Sequence, residues 1–226
     1  MSVIFVSGTD TGIGKTVVTG LLGRYLLERG HSVVTQKWVE TGAGADIETH
    51  LRFMRKGGGD YKGLHRAMRP YELKFASSPH LAARLERRRI DGGAIKRHLR
   101  SLSGRFDFVI VEGAGGLLVP LGGKRLFIDL ARELGLPVLL VAGNRLGAIN
   151  HALLSVEALK AREMRIIGII FNAVSQAEKK KIAEDNPKTV ARLSGVPVLG
   201  TLPRIKDLYR LRKVFAPIGE RIRKRL

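Results

Sequence analysis

Residues 3–18, VIFVSGTDTGIGKTVV, run from a β-branched stretch through a glycine loop into Lys-Thr and a helical pattern. Few features constrain a fold more tightly. A strand must enter the loop, the backbone must curl at its glycines, and a helix must leave with its N-terminus facing whatever the loop encloses. Gly8, Gly12 and Gly14 allow backbone N–H groups to turn inward onto phosphate oxygens. Lys15 is placed to reach terminal phosphates, and Thr16 supplies a hydroxyl of the kind that binds Mg²⁺ in such loops. Five residues separate Gly8 from Gly14, one more than in the common G-x-x-x-x-G-K-[ST] spacing.

The same strand–loop–helix order recurs along the chain. Apolar runs predict strands at 3–7, 32–36, 106–113, 136–143, 165–172 and 196–203, with helical patterns from the loop to about 29, at 147–162 and at 178–193. Strands this uniformly apolar are buried on both faces. The alternation predicts an α/β fold, a doubly wound, mainly parallel sheet with helices on both faces, forming a single domain over residues 1–226. The stretch 41–69 is the least regular, and RKGGGDYKG (55–63) reads as a mobile loop. In such sheets sites form at the carboxyl ends of strands.

Composition narrows the class. No apolar run approaches the ~18–20 residues of a membrane-spanning helix, and MSVIFVSG lacks the length and charge of a signal peptide. The absence of cysteine excludes disulfides and thiolate metal sites. A cytoplasmic protein is expected. Forty Lys+Arg against twenty Asp+Glu give a net charge of +20. That charge reads as a solubilising surface or as attraction to polyanions. The basic clusters at 84–89, 178–184 and 221–226 are not interleaved with aromatics, which argues against nucleic acid.

Three further positions carry chemistry. Glu112 ends the apolar run VIVE just before GAGG, where a strand-end acid is a natural Mg²⁺ ligand. Asp46, in GADIETHL, is a second candidate ligand or a helix N-cap. Lys37 follows the second strand and stands at the same rim as Lys15; two such lysines imply a strongly anionic species between them. Thr41 and Gly42 add a hydroxyl and a close backbone approach.

Five blocks then agree in order and spacing: GTDTGIGKT at 8–16, K-x-V-x-T-G at 37–42, SPHLAARLE at 78–86, VEGAGGLLVPL at 111–121 and GNRLGAINHALLS at 143–155. Together they resemble the dethiobiotin synthetase family of the P-loop NTPase superfamily, over roughly residues 3–203. The loop with one extra residue is that family's own form. The resemblance implies an ATP-dependent ligase of biotin biosynthesis. CO₂ adds to one amine of 7,8-diaminononanoate, ATP phosphorylates the carbamate, and the second amine closes the ureido ring. It implies that Lys37, Lys15 and Thr11 act on the carbamate and γ-phosphate, and that Thr16, Asp46 and Glu112 hold Mg²⁺. The backbone of Gly12, Ile13, Gly14, Lys15, Thr16 and Val17 would wrap the phosphates, with Gly113, Ala114 and Gly115 beside the nucleotide and Asn172 and Pro203 at the adenine. Thr41 would meet the diamine. Gly147, Ala148, Ile149 and Asn150 would trap the substrate's tail carboxylate across a homodimer interface.

The chain departs from the family pattern at Trp38, where Pro is usual, and at Glu40, which brings negative charge beside the carbamate site. Ala173 stands where some members have Asp, and the segment from Thr41 to Asp46 is short. A second function of a different class is a nucleotide-switch ATPase of the partitioning or Min type. Those proteins usually carry an additional lysine early in the loop, where this chain has Thr9-Asp10-Thr11. A cobyrinate-amidating enzyme would need a nucleophilic cysteine that the chain lacks.

Overall fold

A computed structural model describes residues 2–174 and 179–226. The chain opens with β1 (Ser2–Gly8), the glycine loop and α1 (Lys15–Leu27), and returns through β2 (Val33–Lys37) to a short β3 (Val39–Thr41). Next come α2 (Asp46–Met54), α3 (His65–Met68), β4 (Tyr71–Leu73), α4 (Pro79–Leu85) and α5 (Gly92–Ser103). The long β5 (Phe108–Gly116) leads into the hairpin β6 (Pro120–Gly122) and β7 (Arg125–Leu126), then α6 (Phe127–Glu133). The last third alternates β8 (Val138–Gly143), α7 (Ala148–Lys160), β9 (Ile166–Asn172), α8 (Lys180–Ser194), β10 (Val198–Leu202) and α9 (Leu208–Arg223).

Six strands form one sheet in the order β10-β9-β8-β1-β5-β2, every pair parallel. This is the expected doubly wound α/β arrangement. β1 sits between β5 and β8, and its Ile4, Phe5 and Val6 are completely buried, as are Val109–Val111 and 138–142. Burial on both faces explains why these strands read as unbroken apolar runs. The register sets Val6 beside Glu112 and Glu112 beside Lys37, so three strand ends meet at one rim.

Boundaries moved by a residue or two at most elements. The strand expected at 32–36 begins at Val33 and takes in Lys37, and the helix expected at 178–193 is observed as α8 from Lys180; Glu178 lies outside the described residues.

The larger correction concerns 41–69, which is not irregular. It holds α2, a 3₁₀ turn at Gly58–Tyr61 and α3. α2 buries Ile47, His50, Leu51 and Met54. It packs closely on α1 because α1 offers glycines there: a Cβ at Gly20 would come 2.6 Å from Phe53, and one at Gly23 would come 2.8 Å from the Met54 sulfur. The 55–63 segment is anchored by Tyr61, buried, with its hydroxyl donating to the Val33 carbonyl at 2.8 Å.

Trp38 also finds its explanation in the core. Its ring stacks on Phe5 at 4.9 Å and lies 6.1 Å from Phe127, and its Nε1 donates to Gln36 Oε1 at 3.0 Å. Trp38 therefore packs beneath the site rather than entering it. Trp38→Ala should lower unfolding free energy by about 3–5 kcal/mol, as for other buried aromatics truncated to alanine, measured by urea titration.

Candidate active site

The glycine loop takes its shape from two left-handed residues, Gly12 (φ 71°) and Gly14 (φ 95°). A side chain at Gly14 would collide with the Asn172 amide, whose Nδ2 donates to the Ile13 carbonyl at 2.8 Å. Asn172, at the end of β9, thus braces the loop through one of its two amide hydrogens. Lys15 Nζ donates to the Asp10 carbonyl at 2.7 Å, while the Asp10 carboxylate accepts from Thr11 N–H and from Arg145, both at 2.7 Å. No side chain caps the N-terminus of α1, and its first turn carries no acid. Its amides face an open cleft, the arrangement that attracts an anion.

That cleft measures about 610 Å³. Its walls bring together Thr11, Gly12, Gly14, Lys15, Thr16, Lys37, Thr41, Asp46, Glu112, Ala114 and Gly115 from the sequence analysis, with Ser77, Ser78 and Pro79 at the start of α4. At its floor Lys37 Nζ donates to Glu112 Oε1 at 2.7 Å and the Gly113 carbonyl at 3.0 Å, and pairs with Asp46 Oδ2 at 2.7 Å. Thr16 Oγ1 lies 3.0 Å from Asp46 Oδ1 and 3.1 Å from Glu112 Oε1.

The charges are tuned by this packing. Burial holds the Lys15 pKa down to about 8, and repulsion from Lys37 adds to the effect. Burial also opposes charge on Lys37, which is 5% exposed, yet Glu112 and Asp46 outweigh it and raise its pKa. Glu112, 1% exposed, is pushed upward by burial but held down at about 2 by the Lys37 ammonium and a hydrogen bond from His50.

The donor set suits a hard cation. A hydroxyl and two carboxylates converge, all oxygen, and among the described residues no group of three His, Cys, Asp or Glu side chains forms. The protein would thus supply only part of an ion's shell, leaving the rest to phosphate and water, as fits Mg²⁺.

Strand alternation decides which residues of 36–41 reach the cleft. Lys37, Val39 and Thr41 line it, while Gln36, Trp38 and Glu40 point away. Glu40 therefore does not place its charge beside the substrate cleft, contrary to expectation. It is buried, accepts the Asp46 backbone N–H at 2.5 Å and pairs with Arg69 at 2.8 Å. Asp46 is the first residue of α2 and Ala45 is its N-cap, so Asp46 does not cap the helix.

Several expected residues stand outside the cleft wall. Ile13, Val17, Gly113, Asn172 and Pro203 do not line it, nor do Gly147, Ala148, Ile149 and Asn150 at the start of α7. His50, on α2, is a further residue of the site that no sequence motif marks. Its Nε2 lies 2.6 Å from Glu112 Oε2 in full burial. The signal was available: Asp46 and His50 are four residues apart, hence on one helix face.

The Lys15 pKa gives a pH signature. A triphosphate laid against Lys15 favours its charged form, so binding takes up a proton wherever the free ammonium has been lost. Calorimetry in buffers of different ionisation enthalpy should show uptake growing from roughly a quarter of a proton at pH 7.5 to most of one at pH 9. Lys15→Arg, charged throughout, should abolish that trend.

With this geometry in place, comparisons with known proteins identify the family. A protein-family model described as an AAA domain matches residues 2–212. The ATP-dependent dethiobiotin synthetase of Chlorobaculum tepidum is 43% identical over 194 residues, covering 84% of this chain and 80% of that protein. That of Aromatoleum aromaticum is 42% identical over 205 residues, covering 89% and 90%. Among solved structures, the cell division ATPase MinD of Pyrococcus furiosus superposes with a TM-score of 0.60 at 20% identity, covering 99% of this chain and 98% of that one. The apo McdA of Cyanthece gives 0.61 at 14%, covering 100% and 99%. Similarity at that level shows a shared fold alone. At about 40% identity over most of its length, the chain belongs to the ATP-dependent dethiobiotin synthetase family.

Proposed function

We propose that this chain is an ATP-dependent cyclo-ligase that converts 7,8-diaminononanoate, CO₂ and ATP into dethiobiotin, ADP and phosphate. The observation that carries the proposal is the meeting of Lys15 and Thr16 with Lys37, Asp46 and Glu112 in one cleft. A nucleotide switch of the partitioning or Min type usually carries its additional lysine early in the loop; here that stretch is Thr9-Asp10-Thr11 and the second buried lysine stands instead at the end of β2, facing the cleft.

The roles follow from charge and position. The loop backbone from Gly12 to Val17 wraps the phosphates, and Lys15 neutralises them. Lys37 holds the carbamate oxygens while one of them takes the γ-phosphoryl group and the ADP oxygen leaves. The second amine then attacks the carbamoyl carbon, closing the ring and expelling phosphate. Thr11 and Thr41 line the same cleft and orient the diamine and carbamate. Mg²⁺, held by Thr16, Asp46 and Glu112, would supply charge neutralisation at the transferring phosphoryl group. Asn172 and Pro203 serve the adenine, and Gly113 to Gly115 the nucleotide beside it. Residues 1–226 act as one unit, in the cytoplasm, where ATP is made available; among the described residues no helix is long and apolar enough to cross a membrane.

A homodimer completes the site. The start of α7, Gly147 to Asn150, offers N–H donors and a helix dipole to an anion, yet lies outside its own chain's cleft. Beside it Leu118 and Leu154, exposed at 53% and 61%, line an apolar hollow with His151, and Leu146, just before α7, is 78% exposed. Covering that face with a second copy would bring each α7 N-terminus toward the other copy's substrate tail.

Two experiments test these claims. Purified protein given ATP, Mg²⁺, bicarbonate and 7,8-diaminononanoate should form dethiobiotin and ADP, and Lys37→Ala should cut turnover roughly 10²–10³-fold while nucleotide still binds. Absence of the cyclic urea from a protein that binds Mg·ATP would refute the assignment. For the dimer, Leu154→Glu should sediment as a monomer and lose turnover. A fully active monomer would show that the two chains do not share a site.

A further inference from the structure

We propose that His50 and the Glu40–Arg69 pair are positioning residues, an outer shell that fixes Glu112 and Asp46 in the orientation that receives a divalent cation beside Thr16. The proposal rests on the Mg²⁺ role given above and concerns residues to which that role assigns nothing.

His50 comes first. Glu112 ends an apolar run and is buried, so the direction of its carboxylate is set by its partners rather than by water. His50 Nε2, at 2.6 Å from Oε2, takes one oxygen and leaves Oε1 facing Thr16 and Lys37. The ring is fully buried, and its Nδ1 has no hydrogen-bond partner among the described residues. A buried nitrogen without a partner lowers stability. An apolar side chain of similar size would avoid that cost. What the imidazole contributes is therefore its Nε2 proton, held on Glu112.

Asp46 needs a different clamp. Its side chain is about one-third exposed, so burial does not fix it. It opens α2 directly after a short link, Gly42 to Ala45, and the N-cap residue, Ala45, has no side-chain oxygen to accept an N–H. Glu40 does that work from the preceding strand: Oε1 accepts the Asp46 N–H at 2.5 Å, and Oε2 is held by Arg69 at 2.8 Å. Gly44 leaves room for it, since a Cβ there would stand 2.5 Å from Glu40 Cγ. Arg69 is in turn shared with Glu48 and Glu72.

Both clamps act through α2, which carries one candidate ligand (Asp46) and, one turn on, the clamp of the other (His50). A small shift of this helix would disturb both carboxylates together. Outer-shell residues of this kind typically change metal affinity about 10–100-fold when removed.

The test measures Mn²⁺ affinity of the ADP complex by electron paramagnetic resonance, beside metal-free ADP affinity and thermal unfolding. His50→Leu and Glu40→Ala should each weaken Mn²⁺ about 10–100-fold. Metal-free ADP binding should be unchanged. His50→Gln, whose amide nitrogen falls near the Nε2 position, should restore affinity to within about threefold of wild type, whereas His50→Asn should not. His50→Leu should lower the unfolding temperature, because it leaves the buried Glu112 Oε2 without its hydrogen bond, a loss that relief of the orphaned Nδ1 only partly offsets. If either apolar variant misfolds, the Gln–Asn comparison decides. Mn²⁺ affinity within about twofold of wild type in the folded variants overturns the proposal, as does a loss matched by equal loss of metal-free ADP binding. A wild-type chain that binds ADP but no Mn²⁺ overturns the Mg²⁺ role itself, and this proposal with it.

Discussion

Lys37 sits between Glu112 and Asp46, and the site is organised around that buried ion pair. Neighbouring strands place it: in the parallel register of β2 and β5, Lys37 and Glu112 stand side by side where the strands end. Charges buried this deeply are tolerated only when every group is satisfied. Here Lys37 has three acceptors, while Glu112 is met by Lys37, Thr16 and His50. Removing either partner would leave a buried charge less well satisfied, so a change at this point costs stability as well as site geometry.

The parts of this arrangement legible in the sequence are those with a local signature. Gly-Lys-Thr after a strand, Glu112 between VIV and GAGG, and Lys37 at the end of an apolar run are all strand-end signals, and parallel topology carries strand ends to one rim. What was not legible depends on side-chain direction. Glu40 was expected beside the substrate because it lies near Lys37 and Thr41 in sequence, but alternation in β3 turns its side chain out of the cleft wall, behind Asp46, whose backbone N–H it accepts, and onto Arg69. Trp38 follows the same rule and joins Phe5 and Phe127 in the core.

The stretch 41–69 was obscured for another reason. α2 is nine residues long, rich in polar side chains, and lacks a side-chain N-cap, so its own propensity barely signals a helix. Its stability comes from tertiary contact with the glycine face of α1 and from Glu40, neither of which is local. Asp46 marks where the helix begins, but which of its faces is buried depends on those partners. His50 lies on that buried face.

Within the five residues between Gly8 and Gly14, Asp10 makes the contacts that reach furthest. Asp10 does two things at once: its carbonyl receives Lys15, and its carboxylate is tied to Arg145 in the segment leading into α7. Lys15 and the segment leading into α7 are thus joined through a single aspartate. Because that segment borders the exposed Leu146, the phosphate loop and the proposed dimer face are mechanically adjacent rather than separate features of the fold.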